Sequence, residues 1–104
     1  MKPLIYGYMR ASEDVADDEI RIIEQQLAHF AETEGYCLAT IFYEYDSGSN
    51  AAFYELLHEL RRAEAYHVVV PSLEQLHESE IMRALMVEKV ELEAGAALHE
   101  TAGS

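Results

Sequence analysis

Two hydrophobic periods alternate along this chain, and that alternation restricts the fold more than any other feature. Residues 3–10, 36–44 and 67–70 carry Ile, Tyr, Leu, Phe and Val in short extended runs, the composition of strands. Between them, apolar side chains recur every three or four residues, the spacing of a helix. Ile20, Ile23, Leu27, Phe30 and Ala31 do so in 14–35, and Phe53, Leu56, Leu57 and Leu60 in 51–64. Gly35 stands where the first helix should stop. A third helix is predicted over 78–94 on Ile81, Leu85, Met86 and Val90, ending before Gly95. Ala96-Ala97-Leu98-His99 reads as a weak fourth strand. His67-Val68-Val69-Val70 is a continuous apolar run of the kind found in strands covered on both faces. The prediction is an α/β fold in three layers, a mainly parallel four-stranded sheet with helices on both faces and right-handed crossovers. At 104 residues, a single domain over 1–104 is expected.

Such sheets bind ligands beyond the carboxyl ends of their strands, where strand order reverses. The loops predicted at that edge are Ala11–Asp14, Tyr45–Asn50, Pro71–His77 and the tail after His99. Ser47-Gly48-Ser49-Asn50 reads as a turn and a helix cap. The charge of this edge matters, because 20 acidic residues face 7 basic ones, a net charge of -13. Only Arg61 and Arg62 are adjacent. Proteins that hold DNA use lysine and arginine to displace counterions from phosphates, so DNA binding by this chain alone is not expected, and a basic partner suits it better. No apolar run is long enough to span a membrane, and the N-terminus does not read as a signal peptide. The single cysteine, Cys37, makes no internal disulfide and is expected as a small buried side chain. These features together predict a cytoplasmic protein.

Four motifs carry a resemblance to a known family. Tyr8-Met9-Arg10-Ala11-Ser12 follows a Tyr-x-Arg-x-Ser pattern at the end of the first strand. Phe30-Ala31-Glu32-Thr33-Glu34-Gly35-Tyr36 closes the first helix, and Ser47-Gly48 follows the second strand, with Leu56 further on. Val68-Val69-Val70-Pro71-Ser72-Leu73-Glu74-Gln75-Leu76 forms the third strand and its exit. In this order and spacing the chain resembles the catalytic domain of serine site-specific recombinases, the resolvase/invertase family. The resemblance implies that Ser12 is the nucleophile that forms a phosphoserine link to DNA and that Arg10 holds the phosphate. Tyr8, Glu44, Ser47, Gly48 and Glu74 fall on supporting positions. The chemistry is consistent, since a neutral serine needs activation and phosphoryl transfer relies on cations around the phosphate oxygens. A plainer reading makes Ser12 a helix N-cap and Arg10 a surface residue of the strand.

The departures from the family pattern matter more than the matches. Further arginines that the resemblance leads one to expect fall on Phe53, Gln75 and Glu78, the family's glutamine falls on Ile23, and its aspartate on Glu44. Each charged hydrogen bond to a transition-state phosphate is worth ~10²–10³ in rate, so three missing arginines predict little strand transfer. The family also implies a long dimerisation helix and a DNA-binding domain beyond the catalytic domain, and neither is read in this sequence. The reading that results is a recombinase-like domain, catalytically impaired, serving as a protein-interaction or regulatory module. Two alternatives stay open: an active serine recombinase domain cutting and rejoining DNA through Ser12, and a small metal-dependent enzyme using the acidic loop edge of Glu13, Asp14, Glu44, Asp46, Glu74 and Glu78.

No cofactor is implied, there is no glycine-rich phosphate loop, and no metal site is assigned. His77 and His99 could both reach the carboxyl edge, but no histidine pair has the spacing of a zinc motif. The tyrosines are expected in the core or on the sheet faces. Met82, Met86, Val87 and Leu92 beside the Ile81/Leu85/Val90 stripe make the last helix apolar around much of its circumference, so it is either buried or covered by a partner. The expected partners are a second copy of this chain, or another recombinase or DNA-bound protein.

Overall fold

The computed structural model describes residues 1–46 and 48–101. Four strands and three helices alternate: β1 (Leu4–Arg10), α1 (Asp17–Glu34), β2 (Cys37–Glu44), α2 (Ala51–Ala63), β3 (His67–Val70), α3 (Glu80–Glu88) and β4 (Ala97–Glu100). A single 3-10 turn spans Leu73–Gln75, and α3 runs on into a widened π-type turn over Lys89–Glu93. The sheet order is β2-β1-β3-β4, with every neighbouring pair parallel. This is the α/β architecture expected from the alternating periods.

Alternation along the strands decides which side chain meets which helix. Ile5 and Met9 of β1, with Val69 of β3, face Ile23, Leu27 and Ala31 of α1. Tyr6, Tyr8, Val68 and Val70 face the other way, onto Phe53, Leu56, Leu57 and Leu60 of α2 and onto Met86 and Val90. β1 is buried on both faces because it lies inside the sheet. Gly7 is there for a steric reason: an added Cβ would come within 3.0 Å of Ile41 Cγ1 and 3.3 Å of Leu27 Cδ1, so α1 sits close against the strand. Gly35 ends α1 in the left-handed conformation, φ 83°, which an L side chain adopts only with strain.

Three expectations are corrected. Cys37 is exposed, because it is the first residue of β2, and β2 is an edge strand. Ile81 and Leu85 do not join the core: they are 74% and 43% exposed. Half of the predicted stripe holds: Met86 and, in the turn that follows α3, Val90 are buried, while Ile81 and Leu85 face outward. The tyrosines divide, with Tyr6 and Tyr8 in the core and Tyr45, Tyr54 and Tyr66 exposed.

Candidate functional site

The order β2-β1-β3-β4 places the reversal between β1 and β3. The chain leaves β1 through α1 toward β2, then crosses the opposite face through α2 to reach β3. A crevice opens beyond the carboxyl ends of these two strands. It is a cleft of about 1020 Å³, lined by Arg10 at the end of β1, by Ser12 and Asp14 after it, by Tyr45 and Asp46 after β2, and by Glu74, Gln75, His77 and Glu78 after β3. Three of the four loops predicted for this edge therefore meet. The fourth segment, after His99, braces one of them from behind: Leu73 N–H donates to Glu100 Oε2 at 2.9 Å, and Thr101 Oγ1 donates to the Pro71 carbonyl at 3.2 Å.

Arg10, the last residue of β1, ties the loops together. Its Nε donates to the Leu76 carbonyl, Nη1 to the Ser49 carbonyl at 3.1 Å and Nη2 to Asn50 Oδ1 at 2.7 Å. It is half-buried rather than the surface residue of the strand that the plainer reading makes it. Ser12 is half-buried, and its hydroxyl donates to Asp14 Oδ1 at 2.6 Å. It is not a helix cap either, because α1 begins at Asp17 with Ala16 in the capping position. The bond from Ser12 holds the Asp14 carboxyl below its ordinary range, so Asp14 has less appetite for the serine proton than a free carboxylate.

The other site residues separate. Tyr8 and Glu44 are buried beneath α2, away from the cleft. Glu44, 3% exposed, accepts from Tyr8 Oη at 2.9 Å, Ala52 N–H at 3.1 Å and Phe53 N–H at 3.2 Å. A carboxylate at a helix N-terminus satisfies orphan amide groups and meets the positive end of the helix dipole. Burial, then the bond to Glu44, pushes the Tyr8 phenol far above its ordinary range. Glu74 lies in the cleft. Gly48 is an exposed turn residue with space around it, and Ser47 lies outside the described residues. Of the positions where the family pattern would set arginines, Gln75 and Glu78 face the cleft, but Phe53 is 2% exposed and packs edge-on against Tyr8, ring centroids 5.7 Å apart.

The electrostatics are one-sided. Among the described residues, Glu13, Asp14, Glu19, Asp46, Glu74 and Glu78 line the cleft, against Arg10 as its one lysine or arginine. The acidic edge thus forms largely as expected, with Glu19 added and Glu44 withdrawn into the core. Among the described residues, no three His, Cys, Asp or Glu side chains converge to hold a metal ion. His77 and His99 are not brought together. His77 is in the cleft, where its Nδ1 accepts from Ser79 N–H at 3.0 Å, whereas His99 pairs with His67.

Two arrangements had no clear signal in the sequence. Asn50 occupies the capping position of α2, but its side chain serves Arg10, while Ser49 Oγ accepts from Ala51 N–H at 3.1 Å. Arg83 donates to the His77 carbonyl at 2.9 Å and fastens the loop before α3. Ser79 before the α3 stripe was a readable cap: its Oγ accepts from Met82 N–H at 3.3 Å.

Comparison with known proteins gives a consistent pattern. A family model described as the resolvase N-terminal domain matches residues 5–103. The fold is similar to the crystal structure of the C-terminal catalytic domain of ISC1926 TnpA, an IS607-like serine recombinase, with a TM-score of 0.75 and 15% identity, covering 94% of this chain and 68% of that one. It is also similar to the N-terminal catalytic domain of TP901-1 integrase, with a TM-score of 0.76 and 21% identity, covering 97% and 78%. No curated protein matches in sequence. No helix among the described residues is long and apolar enough to cross a membrane.

Proposed function

Because the chain belongs to the family of resolvase N-terminal domains, whose solved structural neighbours are serine recombinase catalytic domains, we propose that it is a recombinase-like domain impaired in strand transfer. In this reading it acts as a protein-interaction or regulatory module. The charge of the cleft carries the reading: six carboxylates line the cleft that holds Ser12, and Arg10, the one arginine among its described lining residues, is engaged with two backbone carbonyls and Asn50. A phosphodiester brought there meets repulsion where the chemistry needs positive charge.

The interaction role is supported by α3 and its extension. Ile81, Leu85 and Leu92 are exposed along one side, at 74%, 43% and 75%, with Glu88 between them. An exposed apolar stripe on a small domain marks a contact surface. An apolar surface on a second copy, or on another recombinase or DNA-bound protein, would cover it.

An active recombinase is the second reading. The presence of Ser12 and Arg10 in one cleft favours it, with the serine hydroxyl oriented by its 2.6 Å bond to Asp14. The two readings separate on supercoiled DNA at low salt, with Ser12→Ala as control. The impaired module yields no covalent protein–DNA adduct. An adduct that disappears in Ser12→Ala establishes the active recombinase instead.

A further inference from the structure

His67 Nδ1 and His99 Nε2 lie 3.2 Å apart across β3 and β4. Their ring centroids are 5.4 Å apart, nearly the largest separation this nitrogen distance allows, so the two nitrogens point at each other head-on. That is an N–H···N hydrogen bond, which needs one ring to donate and the other to keep a bare nitrogen. The pair therefore tolerates one added proton but not two.

The surroundings restrict the pair further. Tyr36 packs on both rings, at 4.6 Å from His67 and 5.7 Å from His99, and Phe30 of α1 lies 5.5 Å from His99. The nearby charge is the Glu34 carboxylate at the end of α1. Burial first, and His67 second, hold His99 below the ordinary imidazole range, while Glu34 pulls the other way.

What the pair fastens matters for the cleft. β4 is a four-residue edge strand, joined to the sheet through β3 alone. The residues at its end hold the loop after β3. Thr101 N–H donates to the Val70 carbonyl at 3.0 Å, and Glu100 accepts from Leu73 N–H at 2.9 Å. That loop in turn presents the Leu76 carbonyl to Arg10 and sets Gln75, His77 and Glu78 in the cleft.

We propose that His67 and His99 form an acid-sensitive clasp on β4, and that double protonation of the pair loosens the 71–78 loop of the cleft. The sign follows from linkage. A histidine that binds its proton less readily folded than unfolded adds stability above the ordinary histidine range, and that stability drains away as pH falls through it. The clasp is closed at neutral pH and opens from about pH 6.5 downward. The inference stands independently of whether Ser12 is reactive.

Amide hydrogen exchange on the full chain tests it, read as protection factors at Leu73 and Thr101 at about pH 7.5 and 5.5. Protection at both amides should fall together by about tenfold or more in the wild type. In His99→Gln and in His67→Gln, where the substituted side chain no longer titrates, the change should shrink to about twofold or less. The Ser79 amide, bonded to His77 rather than to β4, serves as the internal control and should behave alike in the wild type and both variants. Unchanged wild-type protection, or an equal fall in both variants, overturns the clasp. If neither variant folds, NMR titration of the two rings decides: uptake of a single shared proton through this range supports the clasp, and two independent ordinary titrations overturn it.

Discussion

Tyr8 and Glu44 meet beneath the first turn of α2, with the phenol donating to a carboxylate that also accepts from Ala52 and Phe53. A buried charge is tolerated when both its oxygens are hydrogen-bonded and a helix dipole faces it. Glu44→Ala should therefore destabilise the domain by about 3 kcal/mol, because two helix amides and a phenol lose their acceptor together. Tyr8→Phe removes one of the three donors and should cost about 1 kcal/mol. Urea denaturation of both variants checks the order.

Ser12→Ala should leave stability within about 0.5 kcal/mol of the wild type, since Ser12 caps no helix and the bond its hydroxyl makes to Asp14 lies at the surface. The same substitution should move the titration of Asp14 upward, because the hydrogen bond that favours its carboxylate disappears. Side-chain NMR titration reads this directly. An unmoved Asp14 would show that the two side chains do not meet in solution.

The positions lacking arginine should respond differently to its return. Gln75 and Glu78 face the cleft, so Gln75→Arg combined with Glu78→Arg should fold normally and bind DNA more tightly at low salt. The salt dependence should steepen by about one phosphate contact for each arginine that reaches the backbone. Phe53→Arg should instead destabilise by about 3 kcal/mol or more, because position 53 is buried against Tyr8. Filter binding across a salt series, with thermal melts alongside, distinguishes the two cases.

On α3 and the turn that extends it, Ile81→Glu with Leu92→Glu should leave the melting temperature nearly unchanged, because both side chains are about three-quarters exposed. If this side carries self-association, sedimentation at high concentration should show the wild type associating and the double variant monomeric. A variant that still associates would place the contact elsewhere.

The sheet, its helices and the loops of the cleft were legible because they follow from period and punctuation: alternation along β1, helical spacing in α1 and α2, glycine at the end of α1. What stayed hidden depends on phase and on distance through space. The spacing of Ile81, Leu85, Met86 and Val90 identifies a helical stripe, but which of the four turn inward is set by how α3 sits on the sheet. Glu44 looked like a cleft residue because it precedes a loop, yet as the last residue of β2 its side chain turns under α2. Arg10 and Ser12 were readable from the motif, while the fastening of Arg10 was not, because its partners lie 39, 40 and 66 positions away. His67 and His99, 32 positions apart, become neighbours only once β3 and β4 pair.

The bonds made by Arg10 bear on how the chemistry of this chain can be dissected. One guanidinium pins the end of β1 to the turn before α2 and to the loop after β3. Removing it would take away the cleft's shape and its guanidinium in one step, so any change seen in an Arg10→Ala variant has two inseparable causes. Ser12, which anchors nothing beyond its own loop, is the position where reactivity can be probed while the scaffold stays intact.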